Sequence, residues 1–357
     1  MDIFICIMET NPLHDGHKYL LTKIKNLYPY SKILILLSGN YVQRGDFAVF
    51  NKYYRASLLT NKYADLVLEI PALYSLQSAG EFAHNSLSII KNIDNIKAIF
   101  FGSETADKSF LLDAKNTLDY ISKNNYSKNI SLSESLRNEI YKKTGKKLGS
   151  NDGLGISYLK SLEKLNLNHI DFIPIKRIAA DHGDKNNYKF SSTALRSFIK
   201  KSNNYFYTSV GDIYKYIRAK CIDNMNTGID INDSDISRIN KNLKDKCNYV
   251  DFIESTRHKL LSASKINRFL LKQILDINDQ EKDLFYLDYV HPLSISKNGY
   301  DILKKIRSPI LGSKKTVDKS SNNLKTLFYL NNRHSTMYYS FNNKKVINDF
   351  EKNIYKK

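Results

Sequence analysis

Residues 2–28 read DIFICIMETNPLHDGHKYLLTKIKNLY. Residues 2–8 are mostly apolar and predict a buried strand. An Asn-Pro turn follows. From His17 to Tyr28 apolar residues recur at three- and four-residue spacing and predict an amphipathic helix. A strand that hands over to a helix is the building unit of parallel sheets. The same pattern returns along the chain. KILILLSG (32–39), DLVLEIP (65–71, stopped by Pro71), IKAIFFGS (96–103) and DFIPIKRI (171–178) read as strands. NKYYRASLLTNKY (51–63), LQSAGEFAHNSLSIIKNI (76–93) and SSTALRSFIKK (191–201) read as helices. Near-continuous apolar strands separated by helices mean a parallel sheet covered on both faces. Residues 1–204 are therefore expected to form a doubly wound α/β domain.

After about residue 205 the strand-like runs fade. VGDIYKYIRAKCI, DFIESTRHKLLSASKINRFLLKQIL and GYDILKKIRSPIL carry helical spacing, so 205–310 is expected to be a smaller, mainly helical domain. Residues 311–357 open with GSKKTVDKSSNNLK and continue rich in Asn, Lys and Tyr with weak periodicity. They read as a basic C-terminal extension.

The 357-residue length suits two domains, and 42% hydrophobic residues suffice for real cores. No run of about 18 apolar residues marks a transmembrane helix, and the N-terminus lacks a basic region and a cleavage site. Cys6, Cys221 and Cys247 are few and scattered, which supports neither a disulfide framework nor a structural metal. A cytoplasmic protein without membrane contact is the expectation. The net charge is +19, and residues 201–357 hold 28 Lys and Arg against 17 Asp and Glu, leaving +8 for the first 200. Such a balance fits a polyanionic partner, because cations that neutralise phosphates release condensed counterions. A compositional bias toward Lys and Asn accounts for part of it.

His14 and His17 flank Gly16 where the first strand gives way to a helix. Ligands of doubly wound sheets bind at the carboxyl ends of strands, where helix N-termini point. Free N–H groups and the helix dipole attract phosphate there. Gly16 lets the backbone come close. Two imidazoles can donate hydrogen bonds to oxygens that gain charge as an α-phosphate is attacked. A metal site is disfavoured, since neither an i,i+4 histidine pair nor a third ligand is present.

The stretch HDGH matches the HxGH signature of the nucleotidyltransferase superfamily, which includes adenylyltransferases and class I aminoacyl-tRNA synthetases. FSSTALRSF (190–198) resembles that superfamily's second signature, a Ser/Thr-rich turn ending in Arg at the start of a late helix. Its Ser191, Ser192 and Thr193 can hold β- and γ-phosphates, and Arg196 can neutralise them. ETNPLHDGH (9–17), SGNYVQRGDFAVFNKYYR (38–55), ADLVLEIP (64–71), SAGEFA (78–83), FGSE (101–104), LGISYLKSL (154–162) and IKR (175–177) together resemble the tRNA(Met) cytidine acetate ligase family. The likeness covers about 1–200 and continues more weakly through 256–275.

The resemblance implies activation of acetate with ATP to acetyl-adenylate and acetylation of N4 of the wobble cytidine of elongator tRNA(Met). It implies an ATP-binding loop of Ile7, Met8, Glu9, Thr10, Asn11, Pro12, Leu13, His14, Asp15, Gly16, His17, Lys18, Tyr19 and Leu20, with Asn11, His14 and His17 nearest the phosphates. Gly102 and Arg177 would meet the nucleotide after the fourth and fifth strands. The family's Pro-Asn-Asn-Ile-Leu-Gly run is here SNDGLG, which keeps Asn151 and sets Asp152 where a second Asn is usual. Asp152 repels phosphate but can accept a hydrogen bond from adenine or ribose. A family Tyr-His-Asp is matched only in part by Asp181-His182-Gly183-Asp184. The chain also looks shorter than the family at its C-terminal end. Magnesium is expected with ATP, bridged by its phosphates with few protein ligands, and no protein metal site is expected.

Arg44 and Lys52 are candidates to face the triphosphate or the tRNA. Arg257, Lys259, Lys265 and Arg268 form the helical set for the anticodon. Glu69 and Glu81 are read as polar-network residues, and Ser75, Gln77 and Ser78 as candidates for an acetate pocket. The alternatives are an adenylyltransferase that makes a nucleotide cofactor and a non-enzymatic RNA-binding protein. The first needs no tRNA surface, and the second leaves both phosphate signatures unexplained.

Overall fold

The computed structural model describes residues 1–124, 131–178, 191–202, 206–222, 225, 231–278, 284, 288–350 and 355–356. Its strands are β1 (Ile3–Met8), β2 (Lys32–Ser38), β3 (Tyr41–Val42), β4 (Asp46–Phe47), β5 (Leu66–Ile70), β6 (Ile96–Ser103), β7 (Asp171–Lys176), β8 (Pro292–Ile295) and β9 (Tyr355–Lys356). The main sheet runs β7-β6-β1-β2-β5-β8-β9, and its first five strands are parallel. These five are the strands expected from the apolar runs.

Alternate residues face opposite sides of a strand, so each strand feeds two cores. Phe4, Cys6, Ile33, Ile35, Val67 and Phe100 pack under helices Asp15–Leu27 and Lys52–Thr60. Ile3, Ile5, Leu34, Leu36, Leu68 and Phe101 pack against helices Ala79–Ser88, Lys108–Lys123, Leu132–Thr144 and Ser150–Lys164. The chain winds from β1 through β2 to β5, then crosses back to β6 and β7 on the other side of β1. The direction of winding reverses between β1 and β6, and doubly wound sheets bind their ligands at such a point, outside the strands' carboxyl ends.

The expected helical character after residue 205 is present in Tyr214–Cys221, Asp233–Asp245, Tyr249–Thr256 and Ala263–Leu275. Two later segments differ from the expectation. β8 pairs antiparallel with β5 and extends the main sheet, with Leu66 opposite Ile295. Helix Asn322–Phe341 and the turn that holds Asp349 are built into the interior. Tyr338 donates to the Ala48 carbonyl at 2.9 Å, and Tyr41 donates to the His334 carbonyl at 2.9 Å. The buried face of that helix mixes Phe328 and Tyr338 with Asn331, His334 and Ser335, so no aliphatic stripe marks it in the sequence. The β3–β4 hairpin turns at Gly45 (φ +79°), where a Cβ would lie 2.5 Å from the Arg268 nitrogen. Only glycine allows the hairpin to seat on helix Ala263–Leu275. Among the described residues no helix is long and apolar enough to cross a membrane.

Candidate active site

The loop from Glu9 to His14 leaves β1 at the point where the winding reverses. Thr10 is fully buried with φ +41°, a conformation β-branched residues rarely adopt and one that costs about 1–3 kcal/mol. Its neighbours hold it there. Arg55 donates to the Glu9 carbonyl at 2.7 Å, Val49 donates its N–H to Asn11 Oδ1 at 2.8 Å, and Arg196 donates to the Asn11 carbonyl at 2.7 Å. Met8, Pro12 and Leu20 are buried and pack the loop, and Ile7, Leu13 and Tyr19 are partly so. The Asn11–Pro12 peptide is cis.

His14 caps the helix that begins at Asp15. Its Nδ1 accepts the Gly16 N–H at 3.1 Å, and His17 Nδ1 accepts the His14 N–H at 3.3 Å. This is a capping box built from two imidazoles. Both rings therefore carry their proton on Nε2, away from the backbone they cap. Burial first, then the charge of Arg177, lowers the His14 pKa to about 4. Burial first, then His14 and Arg177, holds His17 well below its usual value. Near neutral pH the pair is two uncharged N–H donors whose rings lie 3.8 Å apart. A Cβ on Gly16 would lie 2.9 Å from His14 Cε1, so this glycine makes room for the His14 ring as well as for a ligand. Lys18 pairs with Asp15 at 2.7 Å on the outer side of the helix.

The second signature reaches the first through Arg196, which also donates to Thr193 Oγ1 at 3.1 Å. Ser191 caps helix Ser192–Lys201, accepting the Ala194 N–H at 3.3 Å. The Ser192 and Thr193 N–H groups, in the first turn, have no partner inside the helix. Arg177 follows β7 and lies over Gly102, where a Cβ would sit 3.1 Å from its Cγ. Arg177 and Arg196 both act on His14, so two cations, two neutral donors and a helix start converge on one space. The partial match at 181–184 lies outside the described residues.

Several expected site residues have other work. Asp152 is fully buried and accepts from Ser103 Oγ at 2.5 Å and from the N–H groups of Glu104 and Thr105 at 3.0 and 3.2 Å. It shapes the turn after β6, which corrects its reading as an adenine or ribose contact. Asn151 Nδ2 donates to Glu104 Oε1 at 2.6 Å, and Glu104 also takes the Asn151 and Asp152 N–H groups at the start of helix Ser150–Lys164. Glu104 stood in the quoted FGSE without a role. Its place directly before a turn, ahead of a Gly-Ser helix start, was the available signal.

Lys52 is the clearest correction. It is fully buried and donates to Glu69 at 2.7 and 2.9 Å and to Asp349 at 2.7 Å, so it cannot meet tRNA. His291 and Asn331 complete the shell of Glu69 at 2.5 and 3.0 Å, and Tyr53 donates to Asp349 at 2.8 Å. Glu69, His291 and Asp349 have the spacing of a metal triad, but the Lys52 ammonium already sits between both carboxylates. Arg55, also fully buried, gives its donors to the carbonyls of Glu9, Ser38, Gly39 and Phe50. Ser75 and Gln77 are buried. Ser75 donates to the Ile70 carbonyl at 3.3 Å, and Gln77 Oε1 accepts from Lys272 at 3.1 Å. Ser78 caps helix Ala79–Ser88, whose first turn holds Glu81.

Arg44 is exposed at the hairpin turn. Arg268 donates to the adjacent Gln43 carbonyl at 3.2 Å, which brings these two basic residues together. Arg257 and Lys259 are exposed in the turn before helix Ala263–Leu275, Lys259 lying 3.4 Å from Glu134. Lys265 lies 3.6 Å from Asp235.

The family model described as HIGH Nucleotidyl Transferase matches residues 1–230 and 201–353. The chain is 29% identical over 392 positions to tRNA(Met) cytidine acetate ligase of Clostridium botulinum (strain Loch Maree / Type A3), covering 96% of this chain and 95% of that one. It is 31% identical over 364 positions to tRNA(Met) cytidine acetate ligase of Thermosipho africanus (strain TCF52B), covering 87% and 84%. The crystal structure of Thermotoga maritima TmcAL bound with alpha-thio ATP superposes over 100% of both chains, with a TM-score of 0.83 at 21% identity. The apo form of the same protein gives 0.83 at 22%. At such identity the superpositions speak for the fold.

Proposed function

Because the chain belongs to the HIGH nucleotidyl transferase family, and within it to the tRNA(Met) cytidine acetate ligases, we propose that it is a ligase that activates acetate with ATP and acetylates N4 of the wobble cytidine of elongator tRNA(Met). The observation that carries the reading is the imidazole capping box at the end of β1, tied to the second signature by Arg196. An acetate oxygen attacks the α-phosphorus of ATP in line. The Nε2–H groups of His14 and His17 and the adjoining helix start take up the charge that grows on the phosphate oxygens. These donors need no charge change to act, and their rings are fixed before the ligand arrives, so little reorganisation is required. Pyrophosphate leaves toward Ser191, Ser192 and Arg196. Magnesium would accompany ATP as part of the substrate, where it would offset charge on the phosphates, and no side chain of this site is assigned to hold it. Cytidine N4 then attacks the acetyl carbon and releases AMP.

In this reading residues 1–204 carry the ATP chemistry and 205–310 dock the tRNA, with Arg44, Arg257, Lys259, Lys265 and Arg268 as the basic set. Helix Asn322–Phe341 braces the sheet. The test is incubation with ATP, labelled acetate and bulk tRNA, followed by digestion to nucleosides. ATP-dependent labelled N4-acetylcytidine is expected. Unlabelled RNA together with a dinucleotide made from a second nucleotide substrate would replace this reading with a cofactor-making adenylyltransferase.

A further inference from the structure

Acetyl transfer to a cytosine amine must dispose of one proton. N4 is conjugated with the ring and is a weak nucleophile, so a base that accepts its proton as the new bond forms speeds the attack. The two histidines are unsuited to this task. Each Nδ1 already accepts a backbone N–H, and each Nε2 bears a hydrogen. Of the nearby carboxylates, Asp152 and Glu104 are engaged in shaping the turn after β6 and the helix start beside it. Asp15 is paired with Lys18 on the outside of its helix.

Glu9 is arranged differently. It stands at the end of β1, directly before the strained Thr10. Its backbone is pinned by Arg55, and its Oε1 accepts the Gln43 N–H at 2.6 Å. Among the described residues its Oε2 accepts no hydrogen bond. Arg44 from the hairpin, Arg55 from helix Lys52–Thr60 and Arg196 from helix Ser192–Lys201 act on it electrostatically, and Tyr158 of helix Ser150–Lys164 feels its charge. Gln43, which anchors it, also accepts from Arg268 at 3.2 Å and donates through Nε2 to the Gln77 carbonyl at 3.1 Å. The carboxylate is thus positioned by one oxygen from the same turn that touches the basic helix, and its other oxygen remains available.

Building on the tRNA-acetylation reading, we infer that Glu9 is the general base of the transfer step. As N4 forms its bond to the acetyl carbon, Glu9 Oε2 takes the N4 proton. The bond from that carbon to the phosphate oxygen breaks, and AMP leaves with the electron pair. Glu9 then releases the proton to water. Burial raises its carboxyl above the ordinary range despite the surrounding arginines, which brings it closer to the pH at which a base both accepts and releases a proton efficiently.

Two assays on the full-length protein separate this from the underlying reading: acetate-dependent exchange of pyrophosphate into ATP, and single-turnover formation of N4-acetylcytidine. If wild type forms no N4-acetylcytidine, the ligase reading itself fails. If it does, Glu9→Gln keeps an oxygen for the Gln43 N–H and is expected to cut transfer by about 10²–10⁴ more than it cuts exchange. The pH dependence of the remaining transfer should flatten. Transfer at the wild-type rate would overturn the inference. So would an equal loss of exchange and transfer, which is what a residue serving only the phosphates or their magnesium would produce. Glu9→Asp keeps a carboxylate and supplies a second readout should Glu9→Gln fold poorly. It is expected to transfer more slowly than wild type but to retain the pH dependence. An Asp variant whose transfer is slow and independent of pH would also sink the proposal.

Discussion

At the end of β1, His14 and His17 each give one ring nitrogen to the backbone and, among the described residues, leave the other uncommitted. At β5, Lys52, Glu69, His291 and Asp349 use the same side-chain chemistry on one another and on Asn331, Tyr53 and Ser335. The first group is rigid and incomplete, the second rigid and complete. The difference shows what separates a site from a brace. Residue type and burial are similar in both, and what differs is whether polar capacity is left over after the fold has been satisfied.

The largest effect should come from breaking the complete group. Lys52→Met leaves Glu69 and Asp349 facing each other in the interior with no cation between them. Removing one partner of a buried ion pair typically costs about 3–5 kcal/mol, so urea melts should show a large loss of stability. Any folded fraction should keep its affinity for tRNA. A Lys52→Met protein with an unchanged melt and weakened tRNA binding would reverse the assignment of Lys52.

Breaking the incomplete group should do the opposite. His17→Ala removes one Nε2–H donor from the phosphate site. Loss of one such preorganised donor typically costs about 10²–10³ in rate, read here as acetate-dependent pyrophosphate exchange. Stability should fall by only about 1 kcal/mol, the usual worth of a capping contact, and tRNA affinity should hold. Exchange that survives this change would remove the histidine from the chemistry.

Acid should separate the two groups along the pH axis. The folded pKa of His14, about 4, lies below its ordinary 6.5, so between those values the unfolded chain binds a proton that the folded chain refuses. Stability therefore drops as pH falls from about 6.5 toward 4. Glu69 behaves otherwise. Burial opposes its charge, but Lys52 and His291 outweigh that and lower its pKa from 4.5 to about 2. Its contribution is complete above 4.5 and is lost as pH falls from there toward 2. Stability measured against pH in wild type and in a His14→Asn, His17→Asn variant should differ in slope in the upper window, and the difference should narrow once His14 takes up its proton near pH 4. His334, whose pKa is also lowered to about 4 by burial, is present in both proteins and drops out of the comparison. Parallel curves throughout would mean that the histidines do not lose a proton on folding.

The parallel sheet was legible because both its faces are buried, which leaves continuous apolar runs such as KILILLSG. β8 was not, since PLSI is four residues long and begins with a proline, and helix Asn322–Phe341 buries amides and hydroxyls where an aliphatic stripe was sought. The helix start at His14 was legible because a strand and an Asn-Pro turn precede it. Lys52 and Asp152 were misread for a common reason. Their partners lie far off in the chain, Asp349 for one and the 103–105 turn for the other, and a sequence does not display which charges meet in three dimensions. DLVLEIP did carry a hint, because a glutamate inside an otherwise apolar strand requires a buried cation somewhere.

The smallest effect concerns Arg44, eight positions before Lys52 and read alongside it. Arg44 is exposed at the hairpin turn, next to the Gln43 carbonyl that Arg268 holds at 3.2 Å. Its charge is not consumed inside the fold in the way that Lys52's is. If it meets a phosphate of the docked tRNA, Arg44→Ala should weaken tRNA binding by roughly fivefold, about 1 kcal/mol. The slope of log affinity against log salt should shrink by about 1, the signature of one lost phosphate contact. Melting should be unaffected, as for most exposed substitutions, and acetate-dependent pyrophosphate exchange should remain near wild type because no tRNA takes part in that step. A weaker affinity with an unchanged salt slope would mean that Arg44 acts by shaping the turn around Gln43. In that case the basic face would have to be sought farther along, at Arg257 and Lys259.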